Sequence, residues 1–291
     1  MNILVLGGTK YMGRHLVRKL LSDGHDVTVA TRGNTNDPFG NKVKRLIIER
    51  EDPESLRNAF KDKHYDVTID NLAYSSNEVK FLLDSLSTEK YVMTSTCSVY
   101  FPNFHENMKE SEMDTRAIPL RWCNRNDFPY DEVKRQAEAA LFQAYKNQSS
   151  AAVRFPYIFG KDDYTQRLFY YVESIFHGRA MYIDNLSARL SFIESDEAGN
   201  FLAHVATAPV VGYINAGSSG TISLEEIIGY AEKRLSKKAV IQADGDEATL
   251  NGMPSFSLDT SLAEQTGFKF RNINEWVYPM IDFWVEELTI K

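Results

Sequence analysis

Cysteine is scarce: Cys97 and Cys123 are the only two among 291 residues. Two thiols cannot build a scaffold of bridges, so a disulfide-framed domain is excluded and free thiols in a reducing compartment are expected. No apolar run approaches the roughly 20 residues that span a bilayer. The first apolar run begins within three residues of Met1, leaving no room for a signal peptide, and a cytoplasmic setting is expected. Positive charge is in deficit too. With 40 Asp and Glu against 33 Lys and Arg, the formal charge of -7 gives no electrostatic reason to seek a nucleic acid or an anionic membrane. The six histidines are scattered and no pair has metal-ligand spacing, so no metal site is expected. Repeats and low-complexity linkers are also missing. What remains, 43% apolar and 25% charged residues, suits one large domain with a smaller appendage.

The most informative segment is Gly7-Gly8-Thr9-Lys10-Tyr11-Met12-Gly13, directly after the apolar run Ile3-Leu4-Val5-Leu6. It sets a glycine-rich turn between a buried strand and a helix on which Met12, Leu16, Val17, Leu20 and Leu21 share one face. Such a junction can hold the pyrophosphate of a dinucleotide, because helix N-terminal N–H groups point outward and the helix dipole favours anions. Gly7 suits the tight turn and Gly13 close helix–sheet packing, while Lys10 stands where a middle glycine is usual.

The alternation continues down the chain. Strands are expected over 26–30, 45–48, 66–70, 91–94 and 151–155, with helices over 53–60, 79–86 and 130–145. This pattern predicts an α/β fold, a Rossmann-like doubly wound parallel sheet. Residues 101–128 read as a long polar loop. Beyond Gly160 the alternation weakens and Tyr and Phe accumulate, Phe169-Tyr170-Tyr171 among them, as lobe packing. Ser223-Leu224-Glu225-Glu226 is a capping box. A strand over 212–215 returns to the main sheet. The expected division is a dinucleotide-binding body of residues 1–160 with 191–217, and a smaller substrate-binding lobe of 161–190 with 218–291.

Tyr130 and Lys134 lie at i and i+4, on one face of the helix expected there. An ammonium beside a phenol favours the phenolate, whose ordinary pKa is about 10, and such a tyrosine can move a proton while hydride passes to a nicotinamide. The plain alternative is a solvated helix pair. About 35 residues earlier, Thr94-Ser95-Thr96-Cys97-Ser98-Val99-Tyr100 places hydroxyls at a strand's carboxyl end, where open α/β sheets bind ligands; the alternative there is a turn satisfying its own backbone.

Together these pieces resemble the extended short-chain dehydrogenase/reductase superfamily, in its NAD(P)-dependent epimerase/dehydratase branch. The turn at Gly7–Gly13 is similar to the family's GxxGxxG. Asp70-Asn71-Leu72-Ala73 resembles its strand end beside the cofactor, Ser95 to Tyr100 its SSxxVYG segment, and Tyr130 with Lys134 its YxxxK pair. Arg154-Phe155-Pro156 to Gly160 resembles RPxxxxGP, and Leu258-Asp259-Thr260-Ser261 with Gly267-Phe268 a C-terminal element. The resemblance implies an oxidoreductase or epimerase acting on a hydroxyl or keto group of a sugar-nucleotide-like substrate. Tyr130 would be the general acid/base, Thr96 would hydrogen-bond the reacting oxygen, and Lys134 would hold the nicotinamide ribose. Gly7, Gly8, Thr9, Lys10, Tyr11, Met12, Gly13, Thr31, Arg32, Glu49, Asn71, Leu72, Ala73, Phe155 and Pro156 would complete the cofactor site. Arg189 would bind the substrate diphosphate. A homodimer through the helices over 79–86 and 130–145 is also implied.

The departures carry information. Where an NAD-binding chain usually has an acid for the ribose hydroxyls, this one reads Ala30-Thr31-Arg32-Gly33. Arg32 can grip a 2′-phosphate that a carboxylate would repel, with Lys10 and Arg14 adding charge, so NADP is favoured over NAD. Glu49 either meets the adenine amino group or caps the following turn. Cys97-Ser98 stand where 4,6-dehydratases carry Asp-Glu, which disfavours dehydration, and Cys97 reads as a packing residue, since no neighbour would activate it. The turn followed by a Thr-Arg-Gly strand end also resembles an atypical subgroup that includes chloroplast stem-loop RNA-binding proteins, many without the catalytic pair. A non-catalytic dinucleotide-binding regulator or RNA-associated protein is therefore the second reading. The intact Tyr130/Lys134 pair and the acidic charge favour the first.

Overall fold

The computed structural model describes residues 1–290. Seven parallel strands form the central sheet: β1 (Asn2–Leu6), β2 (Asp26–Thr31), β3 (Val43–Ile47), β4 (His64–Asp70), β5 (Ser87–Thr96), β6 (Ser149–Phe155) and β7 (Gly212–Asn215). Their spatial order is β7-β6-β5-β4-β1-β2-β3. The chain builds outward from β1 on one side, then crosses back to add β4 onward on the other. The carboxyl ends of β1 and β4 flank this reversal, which is where such sheets open a crevice.

Both faces of the sheet are covered, so its strands read as continuous apolar runs. Alternate residues of β1 show how. Ile3 and Val5 join Leu16, Val17 and Leu20 of α1 (Tyr11–Ser22) and Phe201, Leu202 and Val205 of α6 (Ser195–Thr207). Leu4 and Leu6 face the other way, with Leu56 and Phe60 of α2 (Pro53–Phe60), Val79 and Leu82 of α3 (Ser76–Leu83), and Ala137 of α4 (Tyr130–Ala139). A third core joins Tyr171 and Ile175 of α5 (Phe169–His177), Ile227 and Ala231 of α7 (Leu224–Leu235), and Val277 and Ile281 of α9 (Asn274–Thr289), which follows the short α8 (Ser261–Gln265). Cys97 and Val99, in the turn directly after β5, and Met108 in the following loop also enter this third core.

The local signals mostly set the element ends. The Ser223 capping box forms with Glu226, as read. The helix read over 79–86 instead spans Ser76–Leu83, because Ser75 and Glu78 make a second capping box three residues earlier. Residues 84–86 turn out of the helix, and β5 starts at Ser87 rather than at 91: polar Ser87, Thr88 and Lys90 pair with β4. The helix read over 130–145 is α-helical to Ala139 and closes in a π-turn over Ala140–Ala144. No helix among the described residues is long and apolar enough to cross a membrane.

Candidate active site

A cleft of about 610 Å³ opens along the carboxyl ends of the central strands. Its floor is the turn after β1. Gly7 takes φ +78°, open to glycine and costly to other residues. A Cβ on Gly13 would stand 2.0 Å from the Gly7 carbonyl oxygen, so any side chain there would push α1 off β1. Gly8 turns away from the cleft, where a Cβ would meet Val17 and Val29; its role is packing rather than lining. Helix α1 opens at Tyr11 with no side-chain cap from Lys10 and no acid in its first turn. Its first N–H groups therefore lack capping side chains, at the positive end of the helix dipole. Tyr11 itself is held at φ +52°. Its hydroxyl donates to the Ile158 carbonyl and its ring meets Tyr164 edge-on, centroids 5.9 Å apart.

Thr9, Lys10, Tyr11, Met12, Thr31, Arg32, Asn71, Leu72, Phe155 and Pro156 line the same cleft. Asn71 ties three strand ends together, accepting from the Thr94 hydroxyl (2.8 Å) and reaching the Gly7 carbonyl with its amide (3.5 Å). Other expected residues lie elsewhere. Arg14 is bound to Asp162 at 2.7 Å, so its charge is spent on the loop after β6 and not on a phosphate. Glu49 is exposed and outside the cleft, its backbone N–H donating to Ser55 Oγ (2.9 Å). Its neighbour Arg50 is the buried partner, bidentate to Asp70 at 2.7 Å on both oxygens; Asp70 also accepts from the Tyr91 hydroxyl (2.7 Å) and the Leu72 N–H (2.9 Å). This pair fixes the loop after β4. Ala73 is buried and contributes only its carbonyl.

Among the described residues the cleft is lined by four cations, Lys10, Arg32, Lys134 and Arg167, and by no carboxylate, in a chain of net charge -7. A cleft lined by a glycine turn, open helix N–H groups, Lys10 and Arg32 fits a nicotinamide dinucleotide.

At its inner end the cleft gathers Thr96, Tyr130 and Lys134. Lys134 is buried, and its Nζ donates to the carbonyls of Ala73 (2.7 Å) and Thr94 (2.8 Å). That leaves one N–H for a further acceptor. Burial lowers its pKa to about 8, with Glu138 and Asp70 opposing the fall. Tyr130 is half-exposed toward the cleft, its ring 6.2 Å from that of Tyr74. Desolvation of its hydroxyl end and the neighbouring Tyr74 push the phenol well above its ordinary range, while Thr96 acts against the rise. The Lys134 ammonium is held in place by these two carbonyls. Thr96 accepts from the Ser98 N–H (3.1 Å) and donates to Ser98 Oγ (3.2 Å), capping the turn over Cys97–Tyr100 while still lining the cleft. Cys97 is buried, its thiol pushed up to about 12 by desolvation, which leaves it inert. A titration of the cofactor-free protein followed by Lys134 Nζ chemical shift should show an apparent pKa near 8 rather than the ordinary 10.5.

Sequence reading missed Tyr74, Tyr157, Tyr164 and Arg167, which complete the inner wall. Tyr157 falls within the Arg154–Gly160 stretch, where only Phe155 and Pro156 were singled out; the other three sit in no motif read from the sequence, and the fold brings them to the same cleft as Tyr130. Arg189 lies apart, on a second cavity of about 590 Å³ lined largely by Ser, Thr and Asn side chains. Its guanidinium donates to Thr221 Oγ1 (2.9 Å), the Thr221 carbonyl (2.5 Å) and Glu226 (3.2 Å). The fold also assembles His64, Asp66 and Glu89 at the opposite end of the sheet, ligand atoms within 4.8 Å of one another, a grouping that histidine spacing did not reveal.

Residues 3–83 match the NAD dependent epimerase/dehydratase family. Among curated proteins, the chain is 24% identical over 204 residues to a chloroplast stem-loop binding protein of 41 kDa from Arabidopsis thaliana, covering 65% of this chain and 50% of that one. It is 31% identical over 183 residues to UDP-glucuronic acid decarboxylase 1 of Xenopus tropicalis, covering 54% and 40%. The chain thus spans about half or less of the length of these relatives. Among solved structures, UDP-glucose 4-epimerase of Thermotoga maritima with UDP-glucose superposes over 100% of both chains, at 16% identity and a TM-score of 0.76. The epimerase of Thermus thermophilus in complex with NAD covers 98% and 99%, at 16% identity and a TM-score of 0.73. The chain therefore shares its fold with these UDP-glucose 4-epimerases. The family match falls on residues 3–83, the stretch that holds the Gly7–Gly13 turn and the Asp70–Ala73 strand end read from the sequence.

Proposed function

We propose that this protein is an NADP-dependent oxidoreductase of the epimerase or reductase type, acting on a hydroxyl or keto group of a sugar nucleotide in the cytoplasm. The observation that carries the reading is the meeting of Thr96, Tyr130 and Lys134 at the inner end of the cleft that begins at the Gly7–Gly13 turn. Names among the similar proteins, UDP-glucose 4-epimerase and UDP-glucuronic acid decarboxylase, support the substrate class. The Gly7–Gly13 turn and the first-turn N–H groups of α1 would hold the pyrophosphate, and Arg32 with Lys10 the adenosine end. A bound nicotinamide supplies a hydride acceptor and donor. Thr96 Oγ1 would hydrogen-bond the substrate oxygen, Tyr130 Oη would take or return its proton, and the free N–H of Lys134 would orient a ribose hydroxyl. Arg189 would meet the substrate diphosphate only by exchanging its contact with Glu226. The two-lobed division at residues 160, 191 and 218, and a homodimer through α3 and α4, belong to the same proposal.

Incubation with NADP and UDP-sugars, with products read by NMR, tests the reading. Interconversion of at least one UDP-sugar is expected. Tight cofactor binding with no turnover across the panel would instead favour the non-catalytic dinucleotide-binding module. The cofactor preference has its own test. Calorimetry of Arg32→Ala should show NADP binding weakened about tenfold to a hundredfold, the value of a charge-assisted contact to a phosphate, with NAD within twofold. Equal affinities for both cofactors, unchanged in the variant, would refute the preference.

A further inference from the structure

Of the four cations in the cleft, Arg167 is the one whose position the dinucleotide does not explain. Lys10 and Arg32 stand at the outer end, and Lys134 is spent on two backbone carbonyls. Arg167 lines the inner end with Thr96 and Tyr130, and its charge acts on the phenols of Tyr11, Tyr130 and Tyr157. It is half-buried, yet no carboxylate lies within ion-pair distance of it among the described residues. Its contacts are to neutral groups. Nε donates to Thr165 Oγ1 (2.9 Å) and one terminal nitrogen to the Ile158 carbonyl (3.3 Å). The plane stacks near the rings of Tyr157 and Phe159, 5.3 and 5.7 Å from their centroids. The fold therefore orients this guanidinium from behind and leaves it without a direct counter-ion: the buried Asp163 carboxylate reaches it only through Thr165 Oγ1, which donates to Asp163 Oδ1 (2.6 Å).

In a chain with an excess of acids, a partly buried guanidinium without a carboxylate is costly unless an anion completes it. The planar fork matches an oxyanion in bidentate geometry. We infer that Arg167 is an oxyanion receptor at the catalytic end of the cleft, holding a carboxylate or phosphate of the substrate beside the group that Tyr130 and Thr96 act on. This rests on the proposed function and narrows it: the substrate is acidic close to its reacting carbon. Two sources carry that chemistry, a carboxylate on the sugar ring and the diphosphate of the nucleotide.

The test uses the whole chain saturated with NADP. Malonate and inorganic phosphate are titrated into wild type, Arg167→Gln and Arg167→Lys, with intrinsic fluorescence as readout, and NADP affinity is measured in parallel. Saturable binding of at least one probe is expected in wild type, weakened tenfold or more in Arg167→Gln and partly restored in Arg167→Lys, with NADP affinity within twofold throughout. No saturable binding in wild type, or equal binding in all three, overturns the inference. Neither outcome depends on turnover, so failure here is separable from failure of the proposed activity. UDP-glucose and UDP-glucuronic acid then distinguish the sources. Loss confined to UDP-glucuronic acid in Arg167→Gln assigns the carboxylate, and equal loss for both assigns the diphosphate. No loss for either overturns the placement at the substrate.

Discussion

Tyr130→Phe should lower kcat by about 10² to 10⁴, the usual worth of a positioned acid/base, while NADP affinity stays within twofold. The substitution keeps the ring, and with it the contact to Tyr74, so the cleft wall should hold its shape. Only the hydroxyl is lost. Because burial raises the phenol above its ordinary range, Tyr130 stays protonated through neutral pH. Oxidation of a substrate hydroxyl needs the phenolate, so its rate should rise with pH in wild type and lose that rise in the variant. Steady-state rates across the pH range check both points. A variant as fast as wild type on every accepted substrate would remove Tyr130 from the chemistry.

The second large effect is on stability. Glu138→Ala should destabilise the fold by about 3–5 kcal/mol, because it leaves a buried guanidinium without its carboxylate. Arg154 and Glu138 are both fully buried and joined at 2.6 and 3.0 Å. Glu138 also accepts from Ser95 Oγ (2.6 Å), next to Thr96. Arg154 reaches the Tyr100 hydroxyl (3.0 Å) and the carbonyls of Glu110 (3.1 Å) and Met113 (2.7 Å). The network thus pins α4, the ends of β5 and β6, and the long loop together. Urea unfolding followed by circular dichroism measures the loss. Glu138→Gln, which keeps the acceptor and drops the charge, should cost less. A loss below about 1 kcal/mol in Glu138→Ala would contradict the account of this pair.

Sequence made legible much of what is local, although the Ser75/Glu78 capping box went unread. The Gly7–Gly13 turn, the capping box at Ser223 and the Tyr130/Lys134 spacing each encode their geometry within a few residues, and the parallel sheet follows from their order. Arg50 and Asp70 are 20 residues apart, and Arg167 comes to the same cleft as Tyr130 only after β6 has been laid beside β5. Such pairs have no spacing signal, because the connection between them is the sheet itself. Arg14 shows the converse. Its position beside the turn suggested a phosphate contact, but Asp162 arrives from the loop after β6 and takes its charge. The behaviour of Lys134 likewise depends on the carbonyls of Ala73 and Thr94, which a helical spacing cannot reveal.

The central claim is that hydride leaves the substrate in this cleft. The most direct measurement mixes NADP-saturated protein with UDP-glucose and with UDP-glucuronic acid in a single turnover and follows reduced-nicotinamide absorbance. The account predicts a reduction phase in wild type with at least one of the two, and its loss in Tyr130→Phe. No reduction with either at saturating cofactor, or the same phase in both proteins, would contradict it.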